Sequence, residues 1–95
     1  MTVAFDCDGT LIDVIEDQPR PEIVEIAKAL MRAKHDVTIW SGGGERYAQL
    51  VARRCGLDGM EATARAKPVG ANIQGIVDVA FDDQAVVYGK INIRV

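Results

Sequence analysis

The sequence predicts an α/β fold, a three-layer Rossmann-like arrangement in which a mostly parallel sheet carries helices on its faces. Three observations point to it. Short apolar runs that suit buried strands alternate with stretches of helical amphipathic spacing. The runs ending at Phe5, Trp40 and Phe81 each lead directly into polar or acidic residues. No internal repeat, linker or low-complexity segment interrupts them. Ninety-five residues leave no room for a second core, so residues 1–95 read as a single domain.

The first strand is Val3-Ala4-Phe5, followed at once by Asp6-Cys7-Asp8-Gly9. Asp13 to Gln18 is acidic and polar and reads as a loop, and Pro19 and Pro21 lead into a helix. From Pro21 the positions Ile23, Val24, Ile26, Ala27, Leu30 and Met31 recur at three- and four-residue spacing. Glu22 and Glu25 come early and Arg32, Lys34 and His35 late, matching the helix dipole. Val37-Thr38-Ile39-Trp40 is a second strand, rich in β-branched residues, which runs into Ser41-Gly42-Gly43-Gly44. A second helix follows from about Glu45 to Cys55, with Tyr47, Leu50, Val51 and Cys55 on its inner side and Gly56 as C-terminal cap. Met60 to Ala64 is a short third strand, and Val69 to Gly75 has room for about one helical turn. Ile76 to Phe81 is a clear strand ending in Asp82-Asp83. Val86-Val87-Tyr88 and Ile91 to Val95 supply a last strand or a terminal hairpin around Gly89-Lys90.

Composition excludes several classes of function. A formal net charge of -3 gives no general attraction to nucleic acid or acidic membranes, and Arg46, Arg53 and Arg54 read as a solvated helix face rather than a basic patch. No apolar stretch reaches transmembrane length. Cys7 and Cys55 suit free thiols in a reducing compartment, so a soluble, cytoplasmic protein is expected. His35, at a helix end, reads as a dipole-compatible residue. Trp40 alternates away from Ser41 and reads as core.

Four polar features therefore fall at strand ends: Asp6 with Asp8, Ser41 with its glycines, Lys67 before a proline, and Asp82 with Asp83. Parallel strands bring such features to one sheet edge, where open α/β sheets bind ligands. Two carboxylates one residue apart repel each other unless a cation or a shared proton relieves them. A nucleophile, a proton donor, a metal site and charge stabilisers are what phosphoryl transfer through an aspartate requires.

The Asp6-Cys7-Asp8-Gly9-Thr10-Leu11 segment resembles the first motif of the haloacid dehalogenase superfamily, Asp-x-Asp-Gly-Thr-Leu. The Ile39-Trp40-Ser41-Gly42 segment resembles the second motif, Lys67 the third and Phe81-Asp82-Asp83 the fourth, in family order. The resemblance implies a haloacid-dehalogenase-like fold and a Mg²⁺-dependent phosphomonoester hydrolase. In it Asp6 is the nucleophile that becomes an aspartyl phosphate, and Asp8 is the general acid and base. Ser41 and the Gly42 amide hold phosphate oxygens, and Lys67 offsets the charge of nucleophile and phosphate. Mg²⁺ is held by Asp6, the backbone carbonyl of Asp8 and Asp82, with Asp83 a direct or water-mediated ligand. Thr10 supports the loop by hydrogen bonding.

Family members commonly carry a cap domain over the site, and neither interval of this chain that could hold one is long enough. Asp13 to Pro19 allows a small flap only. An open site suits a phosphate on a large substrate, such as a protein side chain or a nucleic-acid end, or calls for a second subunit as lid, and so for a homo-oligomer. Nucleic acid enters only as a substrate, and no membrane partner is expected. The alternative reading is a non-hydrolysing phospho-acceptor or binding module on a similar core. The retention of Asp8 speaks against it, because a module without turnover needs no general acid.

Overall fold

The computed structural model describes residues 1–69 and 73–95. Strand β1, Thr2–Asp6, forms the centre of a five-stranded sheet. A hairpin of β2, Ile12–Asp13, and β3, Gln18–Pro19, follows it. Helix α1, Pro21–Arg32, leads to β4, Asp36–Ser41, and helix α2, Glu45–Arg54, with a 3₁₀ turn at Asp58–Met60, leads to β5, Thr63–Ala66. Strands β6, Val77–Asp82, and β7, Gly89–Arg94, complete the sheet in the order β5-β4-β1-β6-β7. Every neighbouring pair in it is parallel.

The sequence explains the register. Val3 and Phe5 alternate with Ala4, so β1 presents bulk to one face and a small residue to the other. Phe5 pairs with Ile39 on one side and Phe81 on the other, and the Phe5 and Phe81 rings stack with centroids 4.6 Å apart. That stack ties together the two strands that end in Asp6 and Asp82.

Both helices lie on the same face. Ile23, Val24, Ala27 and Met31 of α1 and Ala48, Val51 and Ala52 of α2 share one core with Val3, Phe5, Val37, Ile39 and Phe81. The chain moves outward from β1 to β4 to β5 through two helical crossovers in the same direction, and crossovers of the usual right hand put both helices on one side. The opposite face has a smaller cluster of Ala4, Trp40, Val77 and Ala80, packed by Val86 and Tyr88. Among the described residues no helix covers it, so the expected third layer is irregular chain. The link from Asp83 to Tyr88 is too short for the helical crossover that parallel strands usually use.

Several boundaries differ from expectation. The third sheet strand starts at Thr63 rather than Met60, because Met60 closes the 3₁₀ turn and Glu61 takes a left-handed conformation, φ 66°. The expected helical turn between Val69 and Gly75 lies partly outside the described residues, and Gln74-Gly75 form a turn. No terminal hairpin forms. Gly89 begins β7 where a Cβ would meet the carbonyl of Ile91 and the backbone of Val79 and Ala80, so the glycine serves close strand approach rather than a turn. Leu50 faces solvent at 47% exposure, while Ala48, Val51 and Ala52 form the inner stripe of α2. No helix among the described residues is long and apolar enough to cross a membrane.

Candidate active site

The carboxyl ends of β1, β4, β5 and β6 meet around a cleft of about 300 Å³ that contains Asp6, Asp8, Ser41, Lys67, Asp82 and Asp83. All four sequence-identified strand ends therefore converge. A larger concavity of about 680 Å³ lies at the other end of the strands, around Lys34, His35 and Glu61. It contains none of the converging carboxylates, and chemistry rather than size identifies the smaller cleft as the site.

Asp6 is the last residue of β1 and is buried. Its Oδ1 lies 2.8 Å from Lys67 Nζ, and Thr10 Oγ1 donates to its Oδ2 at 3.4 Å. The same Lys67 Nζ lies 2.8 Å from Asp82 Oδ2, so one ammonium bridges the ends of two adjacent strands. Lys67 reaches this position because its own amide donates to the Ser41 carbonyl at 2.8 Å, continuing the β4–β5 ladder one residue past Ala66. The ammonium also stands 5.6 Å from the centre of the Tyr88 ring, which packs edge-on against Trp40. Trp40 thus belongs to the core beneath the site, as its alternation with Ser41 indicated.

Asp82 is fixed through both oxygens. Its Oδ1 accepts the Gln84 amide at 3.0 Å while Oδ2 takes Lys67. Asp83 lies against Gly9, where a Cβ would run into the Asp83 carboxylate. Gly9 also has φ +83°, so this position needs glycine for conformation and for space. The loop that it opens is tightly wound, because the amides of Thr10, Leu11 and Ile12 all donate to the Cys7 carbonyl at 2.9–3.1 Å. Arg20 adds a clamp through Nη1 to the Gly9 carbonyl at 2.9 Å.

Oxygens of Asp6, Asp82 and Asp83 lie within 4.8 Å of one another. One lysine opposes three carboxylates, which leaves an excess of negative charge in a largely buried space. Asp6 registers it. Burial, opposed by Lys67 and reinforced by Asp82 and a hydrogen bond with Asp83, lifts its carboxyl to about 6. Burial alone would drive Lys67 toward neutrality, but its hydrogen bonds to Asp6 and Asp82 prevail and hold it above the ordinary lysine value. A compact set of hard oxygen donors with uncompensated charge fits Mg²⁺. The Asp8 side chain stands outside the trio.

Ser41 is buried, and its Oγ accepts the Gly43 amide at 2.9 Å, while its carbonyl accepts Gly44 N at 3.1 Å. The turn thus arranges a hydroxyl and the exposed Gly42 on one wall of the cleft. The flap is the β2–β3 hairpin, with Asp13 Oδ1 accepting the amides of Ile15 and Glu16 at 2.9 and 3.2 Å. Arg54 grips it through Asp17, Nη1 to Oδ1 at 3.1 Å and Nη2 to the carbonyl at 2.6 Å. His35 lies at the far end, 3.1 Å from the N-terminal ammonium. Cys7 is fully buried. Burial first, then the charges of Asp6 and Asp8, pushes its thiol up to about 12, which leaves it a poor nucleophile.

One polar contact at the site was not expected. The Tyr47 hydroxyl donates to Asp8 Oδ1. Helical periodicity places Tyr47 on the inner side of α2, and its ring does pack against the main core, while its position in the first turn of a helix that starts at the sheet edge lets the hydroxyl reach Asp8. Comparison with protein-family models, with curated proteins and with solved structures finds no match to this chain.

Proposed function

We propose that the protein is a Mg²⁺-dependent phosphomonoester hydrolase of the haloacid dehalogenase type, with Asp6 as nucleophile and Asp8 as general acid and base. The observation that carries this reading is the bridge of Lys67 to Asp6 and Asp82, each at 2.8 Å, with Asp83 beside them. A buried carboxylate at a strand end, next to a fixed cation and facing an open cleft, is arranged to attack an electrophile rather than to stabilise the fold.

In the first step an oxygen of Asp6 attacks phosphorus, the bond from phosphorus to the leaving oxygen breaks, and that oxygen takes a proton from Asp8. Ser41 and the Gly42 amide contact phosphate oxygens, and Lys67 offsets the negative charge that accumulates beside Asp6. In the second step water attacks the aspartyl phosphate, Asp8 takes the water proton, and inorganic phosphate leaves with Asp6 restored. Asp6, Asp82 and Asp83 would hold Mg²⁺, which supplies charge neutralisation that one lysine cannot provide alone.

The test is hydrolysis of 4-nitrophenyl phosphate with Mg²⁺. Asp6→Asn should abolish it, and Asp8→Asn should slow breakdown of the aspartyl phosphate, with formation slowed too for alkyl phosphates. Full activity in excess EDTA would remove the metal from the mechanism. A long-lived aspartyl phosphate without turnover would identify a phospho-acceptor module instead.

A further inference from the structure

We infer that Tyr47 is the positioning residue for Asp8, holding one carboxylate oxygen so that the other is presented to the leaving group and then to water. The inference rests on the reading of Asp8 as proton carrier, and it assigns a role that the four strand-end features do not include.

Asp8 differs from the other acids of the site. Asp6 and Asp82 are buried and held by Lys67, whereas Asp8 is exposed on the turn after β1. With no cap domain to enclose it, an exposed aspartate side chain samples several rotamers in water. Proton transfer needs one geometry, within hydrogen-bonding reach of the reacting oxygen. Among the described residues, the hydroxyl of Tyr47 is the hydrogen-bond partner of the Asp8 carboxylate, and it engages Oδ1 while leaving Oδ2 free.

The tyrosine is itself well placed for this work. It stands in the first turn of α2, a helix seated in the core by Ala48, Val51 and Ala52. A Cβ on Gly43 would lie 3.4 Å from Tyr47 Cδ2 and 3.3 Å from Ser41 Oγ, so the glycine lets the ring lie against the turn that presents Ser41. Asp8 and the phosphate-facing turn are thereby referred to the same ring. A tyrosine hydroxyl ordinarily keeps its proton through neutral pH. It therefore acts as a fixed donor rather than as a second acid.

Tyr47→Phe keeps the ring and removes the hydroxyl, which separates positioning from packing. On an alkyl phosphate, kcat should fall about tenfold or more while KM stays within about twofold, because orientation of the proton carrier affects the chemical steps rather than binding. In an Asp8→Asn background the same substitution should cause little further loss. Equal losses in both backgrounds, or full activity of Tyr47→Phe, would overturn the inference. A second measurement does not depend on turnover. Three-bond couplings across the Asp8 side chain in labelled protein should report one χ1 rotamer in the wild type and averaging in Tyr47→Phe. Averaging already present in the wild type, or an unchanged single rotamer in the variant, would refute the role. A wild type without hydrolysis would defeat the phosphatase proposal, and the couplings would still decide whether Tyr47 holds Asp8.

Discussion

Gly9 sits at the tightest point of the site, with φ +83° and the Asp83 carboxylate where a side chain would go. Gly9→Ala should therefore cost about 1–3 kcal/mol in urea unfolding through backbone strain. It should also reduce hydrolysis by displacing Asp83, whereas an unchanged denaturation midpoint would show that the loop relaxes freely. Cys7 lies between the two aspartates and tempts a thiol mechanism, but its buried thiol is raised to about 12. Native protein should resist iodoacetamide at pH 8, and Cys7→Ala should retain turnover. Loss of chemistry with the fold intact would reopen that mechanism. Motif spacing made Asp6, Asp8, Ser41, Lys67, Asp82 and Asp83 legible in the sequence, since strand ends of a parallel sheet must meet at one edge. The contact of Tyr47 with Asp8 was not legible, because helical periodicity correctly turns the ring inward but does not say what the hydroxyl at its tip reaches.

At the level of elements, β1, α1, β4 and β6 were readable because each is buried on a face that leaves a clear apolar period. Strand β5 was offset because Thr63-Ala64-Arg65-Ala66 is largely exposed at an edge and has little hydrophobic pattern. Strand β7 was obscured by Gly89, which signals a turn in sequence but serves close backbone approach in the sheet. The central strands carry most of the packing, so Phe5→Ala, which removes the stack on Phe81, should cost about 3–5 kcal/mol of unfolding free energy. A loss well below 1 kcal/mol would show that the stack is dispensable. At the other end of these strands the Thr2 amide donates to Asp78 Oδ2 at 2.8 Å. That bond, helped by nearby Lys90 against a small desolvation, lowers the Asp78 carboxyl below the usual aspartate value. A lowered folded value stabilises above the unfolded pKa and is lost as pH falls through the folded one. Wild type should thus exceed Asp78→Asn in stability at neutral pH and converge with it at pH values below the ordinary aspartate range. A gap that stays constant on acidification would contradict the linkage.

For the molecule as a whole, the proposed Mg²⁺ site exists only in folded protein, because unfolding separates Asp6 from Asp82 and Asp83. Mg²⁺ at about 100 times its dissociation constant should then add about 2.7 kcal/mol to stability, seen as a rise in Tm that EDTA reverses. A Tm indifferent to Mg²⁺ and EDTA would argue against the site. On the proposed reading, the β2–β3 hairpin is the only flap beside the cleft among the described residues, so small phosphomonoesters should show high KM values and modest discrimination among alcohols. A steep preference for one small ester would contradict that expectation. The strand order also has a consequence for biosynthesis. Strand β1 lies between β4 and β6, and β6 follows it in the chain only after α1, β4, α2 and β5. Asp6 therefore leaves the ribosome long before Asp82 exists to share Lys67 with it. Until β6 emerges, the nascent chain holds a central strand with one open side, an aggregation-exposed interval that slow, non-local pairing would lengthen.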